Sequence, residues 1–338
     1  MLKRVGIVGC GAIAQNSHIP GYAKNPDFEL AAVADPCDTS LAQVREKWTF
    51  GKEYHCYKEM LAAEKLDVVS VCTPNKFHAE IAIAALEAGA DVVLEKPIAL
   101  NLADGLAIKA AAERHGRRVF TCFSHRFNGI DIPAHDAIQN GLIGKPYMIR
   151  VRFAHTGPWP GWAKTDWFYN PELAGGGATL DMAVHAYDLV RYLVGDVTAV
   201  MSKAATLRKD IQVDDNVVTI LEIGKDCLGY VEAGWTSCAG FGGVEVMGDN
   251  GCLVADDNTG KLIVTHGTMK PDGTSEIITE ELPALKTGGH WAYQMAEITR
   301  RITAGEPAYP SIDDGIHALK VTLAAYESSR TGRRVEIQ

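Results

Sequence analysis

The sequence predicts an α/β protein in two parts: a doubly wound parallel sheet first, then a domain with a large, open, mostly antiparallel sheet flanked by helices. Two observations predict it. From residue 3 to residue 123, short apolar runs alternate with helix-like segments, the pattern of repeated strand–helix–strand units. After Gly195, strand-like segments follow one another with turn signals and almost no helix between them. The chain has 338 residues, enough for two full-sized cores. The expected division is 1–123 and 124–338, with a last helix over 311–330 packing back toward the junction. No internal repeat, low-complexity tract or long linker interrupts it.

Composition excludes several classes of function. Hydrophobic residues make up 47% and charged residues 22%, as in ordinary globular proteins. The net charge of −9, without a run of basic residues, argues against nucleic acid and anionic membranes, which need a basic face. No signal peptide and no membrane-spanning stretch is expected. The eight cysteines are spread out with no Cys-x-x-Cys pair, which suits reduced thiols, a cytoplasmic location and no metal site.

The first strand, Lys3 to Val8, is apolar throughout its second half, as a strand buried on both faces requires. It runs into Gly9-Cys10-Gly11-Ala12-Ile13-Ala14, a G-x-G-x-x-A turn that opens a helix. Glycines there allow a tight turn and close approach of a pyrophosphate, which rests on the helix N-terminus. A second strand, Phe28 to Ala34, ends at Asp35, twenty-four positions after Gly11, where a ribose-binding acid belongs. A carboxylate there accepts two ribose hydroxyls and repels a 2′-phosphate. Pro36, Cys37 and Asp38 add no cation. NAD is therefore expected rather than NADP; the bland alternative is an ordinary strand-end acid.

The alternation continues with a helix from Asp38, a brief strand near Tyr54, a helix over Lys58 to Ala63 and a buried strand over Asp67 to Cys72. Thr73-Pro74-Asn75 turns into a helix carrying His78. Asp91 to Leu94 is a strand, Leu102 to His115 a helix and Arg118 to Phe123 a strand. Ligands of such sheets bind beyond the strand C-termini. That places Thr73, Pro74, Asn75, His78, Glu95 and Lys96 with the glycine turn (Gly9, Gly11, Ala12, Ile13, Ala14) and Asp35 in the expected cofactor set. Lys96 follows a fully apolar strand, between an acid and Pro97, where a nicotinamide ring would end. The alternative is a surface lysine paired to Glu95.

In the second part, Gly175 to Tyr192 reads as a helix behind three glycines. Asp181, His185 and Asp188 stand at i, i+4 and i+7, on one narrow stripe of an otherwise apolar helix. A buried helix carries such a stripe only if the groups have partners or face a wet cleft. Asp181 and His185 are therefore candidates for a cleft wall; a satisfied core network is the competing reading.

Together, Gly9 to Ala14, Asp35, Thr73-Pro74-Asn75 with His78, Glu95-Lys96-Pro97 and Gly-Gly-Gly-x-x-x-Asp-x-x-x-His ending at His185 resemble the Gfo/Idh/MocA family of oxidoreductases. Pro310 to Gly315 and the helix after it match the family's last element. The resemblance implies a Rossmann domain binding nicotinamide, then a domain whose open sheet forms homodimers or homotetramers through its outer face. It puts the catalytic lysine on Lys96 and the Asp/His pair on Asp181 and His185.

Between the two halves, Ser124 to Asn128 marks the crossing and brings Arg126 and Phe127 toward the expected substrate site. Tyr147 to Ala154 reads as a strand. Thr156 to Pro171 is broken by proline and glycine and holds Trp159, Trp162, Trp167, Phe168 and Tyr169. Aromatic faces there suit the C–H faces of a sugar; a loop packing its own rings, or a subunit contact, fits as well. Trp162 and Trp167 join Lys96, Arg126, Phe127, Asp181 and His185 in the expected substrate set. Arg126, Arg152 and Lys164 leave room for an acidic sugar. Strands are expected from Ala199, Asn216, Cys227, Val244, Gly251, Lys261 and Glu276, with a hairpin turn at Asp249-Asn250-Gly251. A helix follows Gly288-Gly289-His290, and His290 is a further candidate for the pocket.

The expected activity is hydride transfer between a secondary alcohol of a cyclic polyol or sugar and nicotinamide, with His185 as base, Lys96 on the reacting oxygen and Asp181 orienting. Two rivals remain: an NAD-dependent glycosidase acting by transient oxidation and elimination, and a non-catalytic NAD-sensing protein.

Overall fold

The computed structural model describes residues 2–157, 165–238, 240–270 and 272–338, and of Phe241 only the backbone. The chain divides into two compact units: Met1–Phe123 with Glu172–Ala174 and Trp291–Leu319, and Ser124–Pro171 with Gly175–His290 and Lys320–Gln338.

The first unit is built on six parallel strands: β1 (Lys3–Val8), β2 (Phe28–Ala34), β3 (Lys52–Tyr54), β4 (Val68–Val71), β5 (Asp91–Leu94) and β6 (Val119–Thr121). Their order is β3-β2-β1-β4-β5-β6. The chain therefore leaves β1 in one direction and returns on its other side at β4. This reversal is the switch point at which such sheets bind ligands, and Gly9 and Thr73 lie just beyond it. Val5, Ile7, Val68, Val69, Val92 and Val93 are fully buried, as central parallel strands covered on both faces must be. The helix Leu102–His115 shows how local chemistry sets bounds: Asn101 accepts from the Asp104 N–H (2.9 Å) at one end, and Gly116 closes the other with φ 59°.

The compact units depart from a division into 1–123 and 124–338 over 172–174 and 291–319. In the helix His290–Ala304, Met295, Ile298 and Ile302 are buried with Val5, Ile7, Ile19 and Tyr22 of the first unit. Arg118 at the edge strand donates to the carbonyls of Glu306 (2.6 Å) and Arg301 (3.2 Å), and Thr121 N–H donates to Pro310 (2.9 Å). The helix Ile312–Thr331, started by Ser311 and Asp314 capping one another, contributes to both units.

The second unit holds a nine-stranded sheet: β7 (Pro146–Ala154), β8 (Val197–Ala205), β9 (Asn216–Ile223), β10 (Cys227–Gly234), β11 (Phe241–Gly248), β12 (Gly251–Asp256), β13 (Lys261–Met269), β14 (Ser275–Leu282) and β15 (Val335–Glu336). The order is β14-β13-β12-β11-β7-β10-β9-β8-β15, antiparallel except for β7 with β10. One face packs Ile149, Val151, Leu221, Val231 and Val246 against Tyr187, Leu189, Val190 and Leu193 of the helix Val184–Val194. β15, two residues pairing with Val200 and Ala199, was not expected, because so short a segment has no periodicity to read. Among the described residues no helix is long and apolar enough to cross a membrane.

Candidate active site

In the first unit the end of β1 is shaped for close approach. Gly9 has φ 91°, and a Cβ there would sit 2.7 Å from the Cys72 carbonyl oxygen beyond β4. Glycine lets the two strand ends pass. Gly11 differs: it is exposed, its φ is not positive, and a Cβ would meet no atom within 4 Å. The fold has no need of glycine at that position, and its bareness leaves the outside of the turn open to close approach. Asp35 ties the turn to the end of β2, accepting from Cys10 N–H (2.7 Å) with one oxygen and from Cys37 N–H (2.8 Å) with the other. These residues fit a dinucleotide: a bare turn at a helix start, backed by a carboxylate at the ribose position.

Thr73 Oγ1, beyond β4, is buried with no hydrogen-bond partner among the described residues, so its hydroxyl is available to a bound group. Other members of the expected cofactor set are committed inside the unit. Asn75 donates to the Ala174 carbonyl (2.8 Å). His78 is buried, with Nδ1 2.7 Å from the Pro97 carbonyl oxygen and Nε2 2.9 Å from that of Thr73. Burial holds its pKa below the ordinary imidazole value, against the pull of both carbonyls. Glu95, expected beside the cofactor, turns inward: Oε1 lies 3.0 Å from His18 Nε2, and Oε2 accepts from Lys96 N–H (3.2 Å). The surface ion pair considered for Lys96 and Glu95 is not how that carboxylate is used. Lys96 itself is half-buried, and its peptide bond to Pro97 is cis.

In the second unit two of the three glycines have a packing reason. A Cβ on Gly177 would lie 1.8 Å from the Asp214 carbonyl oxygen, and one on Gly176 would lie 2.1 Å from Tyr326 Oη. With that backbone bare, Asp214 caps the helical start. It accepts from Gly177 N–H (2.9 Å), Thr179 N–H (2.7 Å), Thr179 Oγ1 (2.6 Å) and Tyr326 Oη (2.7 Å). The capped segment Thr179–Ala183 is π-helical and runs into Val184–Val194. Wide turns of this kind gather at functional sites.

The polar stripe therefore divides. Asp181 is half-buried and accepts from Trp235 Nε1 (3.2 Å). His185 is 8% exposed, edge-on to the His125 ring at 4.7 Å. His125 also packs on Phe153 (4.4 Å) and stacks on His290 (5.5 Å), whose pKa burial pushes down. Asp188 belongs to the core: it holds Arg126 in a two-pronged ion pair (2.6 and 2.7 Å), with side chains 2% and 4% exposed. Arg126 and Phe127, expected to meet substrate, are both buried, and the guanidinium answers Asp188. Arg152 pairs with Glu232 (3.0 Å) on the sheet face opposite the core. Trp167 stacks on Phe168 (3.9 Å), one of the three arrangements open to that loop. Trp159, Trp162 and Lys164 lie outside the described residues. Sequence reasoning missed His125 and Trp235, whose surroundings come from elements far apart in the chain.

Comparison with known proteins agrees with this architecture. Residues 3–123 match a family model described as an oxidoreductase family with an NAD-binding Rossmann fold, and residues 133–254 match the GFO/IDH/MocA C-terminal domain. Among curated relatives, the chain is 27% identical to myo-inositol 2-dehydrogenase of Thermotoga maritima over 341 residues, 99% of this chain and 98% of that one. It is 27% identical to D-glucoside 3-dehydrogenase of Escherichia coli over 353 residues, 99% and 97% of the two chains. A solved levoglucosan dehydrogenase in complex with NADH and levoglucosan superposes with a TM-score of 0.89, covering all of both chains at 24% identity, a likeness of fold.

Proposed function

The chain belongs to the Gfo/Idh/MocA oxidoreductases, with NAD as the hydride carrier, and on that premise we propose that it oxidises a secondary alcohol of a cyclic polyol or sugar. The observations that support this most are, in the first unit, a bare glycine turn backed by Asp35 and, in the second, a capped π-helical segment carrying Asp181 that runs into the helix carrying His185. Relatives named for inositol and glucoside oxidation extend along the whole chain.

Gly9 to Ala14, Asp35 and Thr73 would hold NAD, which supplies the hydride acceptor when bound. His185 takes the hydroxyl proton; an imidazole is suited to this because its ordinary pKa lies near neutral pH. The ring's tilt is set by His125 against one edge. Asp181, oriented by Trp235, receives a neighbouring hydroxyl or steadies the imidazole. The Lys96 ammonium donates to the reacting oxygen and stabilises the negative charge that develops there. The test is a screen of inositols, aldoses and sugar acids with NAD⁺ and NADP⁺, read at the reduced-nicotinamide band. One NADH per substrate oxidised is expected. A glycoside cleaved with no net NADH would assign the transient-oxidation route instead, and binding without turnover would assign a sensor.

Gly11→Val tests the cofactor turn. The apoprotein should melt within about 2 °C of wild type, since a Cβ at this exposed position meets no protein atom within 4 Å. NADH binding should weaken at least about tenfold. Unchanged affinity would remove the turn from the cofactor site.

We also place the protein in the cytoplasm, where its eight cysteines, all free, stay reduced. It pairs with a second copy through the outer face of the large sheet. Val218, Ile220, Leu228 and Tyr230 on β9 and β10 are 52%, 54%, 52% and 39% exposed, and Tyr230 lies directly opposite Ile220. Around them Arg150 pairs with Glu245 and Arg152 with Glu232. An apolar patch with balanced charge can meet its own copy, whereas a single-signed one would repel it. Ile220→Lys with Tyr230→Glu should give a folded monomer by light scattering; an assembly that survives both changes must use another surface.

A further inference from the structure

Lys96 stands between two buried histidines, each on a helix that starts from one of the strand-end turns. On its N-terminal side, Glu95 links Lys96 N–H (3.2 Å) to His18 Nε2 (3.0 Å). His18 Nδ1 lies 3.1 Å from Ser70 Oγ, which lies 2.9 Å from Tyr22 Oη. On its C-terminal side, His78 lies between the Pro97 and Thr73 carbonyl oxygens (2.7 and 2.9 Å), and as a neutral imidazole donates to one of them. His18, Ser70 and Tyr22 are fully buried.

Hydrogen counting gives the N-terminal chain a direction. The Tyr22 hydroxyl donates to Ser70, Ser70 to His18 Nδ1, and His18 Nε2–H to Glu95, whose other oxygen takes the Lys96 amide. Neutral His18 and ionised Glu95 give each of these donors an acceptor. A doubly protonated His18 would turn the Ser70 bond round and leave one of the Ser70 and Tyr22 hydroxyls without an acceptor along the same chain. The groups facing His18 and Glu95 are Tyr22, Cys72 and Cys122; burial raises all three pKa values and keeps them protonated.

We propose that His18, Glu95 and His78 are positioning residues for Lys96: they fix the backbone on both sides of it and couple its placement to the helices that follow the glycine and Thr-Pro-Asn turns. The inference rests on Lys96 acting at the reacting oxygen. Ligand atoms of His18, Glu95 and Cys122 also lie within 4.8 Å of one another, close enough for a shared metal. The satisfied hydrogen-bond chain and the protonated thiol speak against one, since a metal takes the thiolate.

Glu95→Gln puts an amide donor where the chain needs an acceptor. It should lower kcat by about tenfold or more, because small misplacements of a catalytic group are that costly. NADH affinity and KM should stay within about threefold of wild type. In a Lys96→Met background the same change should alter the residual rate by less than about twofold, since a residue acting through Lys96 has nothing left to position. Wild-type kcat in Glu95→Gln, or an equal loss in both backgrounds, overturns the proposal. So does activity lost to a chelator and restored by zinc. Wild-type turnover in Lys96→Met alone would instead overturn the role given to the lysine. If Glu95→Gln does not fold, Ser70→Ala, which removes one hydroxyl from the chain, carries the same comparison in both backgrounds.

Discussion

Lys96→Met and His185→Ala should each lower kcat by about two orders of magnitude or more, while NADH binds within about threefold of wild type. The two losses have different causes. Methionine keeps most of the lysine's length and apolar stem but removes the ammonium, so charge developing on the substrate oxygen loses its donor. Alanine at 185 removes the base, and the hydroxyl proton must leave through water. The pH dependence should separate them: the alkaline plateau set by a neutral imidazole disappears in His185→Ala and persists, at a lower rate, in Lys96→Met. Steady-state rates with NADH titrations on both variants decide it. Wild-type turnover in either removes that residue from the chemistry.

The second large effect falls on stability. Arg126→Met should destabilise the protein by about 3–5 kcal/mol, because it leaves the Asp188 carboxylate buried with its opposing charge removed. Adding Asp188→Leu should recover most of that loss, since an apolar pair of similar volume needs no countercharge. Denaturant unfolding of the single and double variants measures both steps. A single-variant loss below about 1 kcal/mol would mean that water reaches the carboxylate, as for an exposed pair. Asp188 lies one turn after His185, so the same variant should also loosen the base and lower kcat in the folded fraction.

Much of this was legible in the residues. Apolar runs alternating with helix-like segments specify the parallel sheet because strands covered on both faces must be apolar. The glycine turn and Asp35 could be read because their chemistry is local. The helical stripe was read only in part. Its i, i+4, i+7 spacing assumes 3.6 residues per turn, whereas Thr179–Ala183 winds as a π-helix. The partner that draws Asp188 into the core is Arg126, sixty-two positions earlier. Glu95 is similar: beside Lys96 it reads as a surface partner, yet its acceptor role is fixed by His18, seventy-seven positions away. Periodicity also shows that the helix His290–Ala304 buries one face without saying against which unit. Local patterns reveal which groups need partners; only the packed chain supplies them.

A crystal structure of the ternary complex with NADH and a polyol that the screen identifies tests the central claim most directly. The account predicts Lys96 Nζ and a His185 ring nitrogen both within about 3.2 Å of one substrate hydroxyl oxygen. Density placing the reacting hydroxyl against only one of them, with the other at a separate surface, would contradict it.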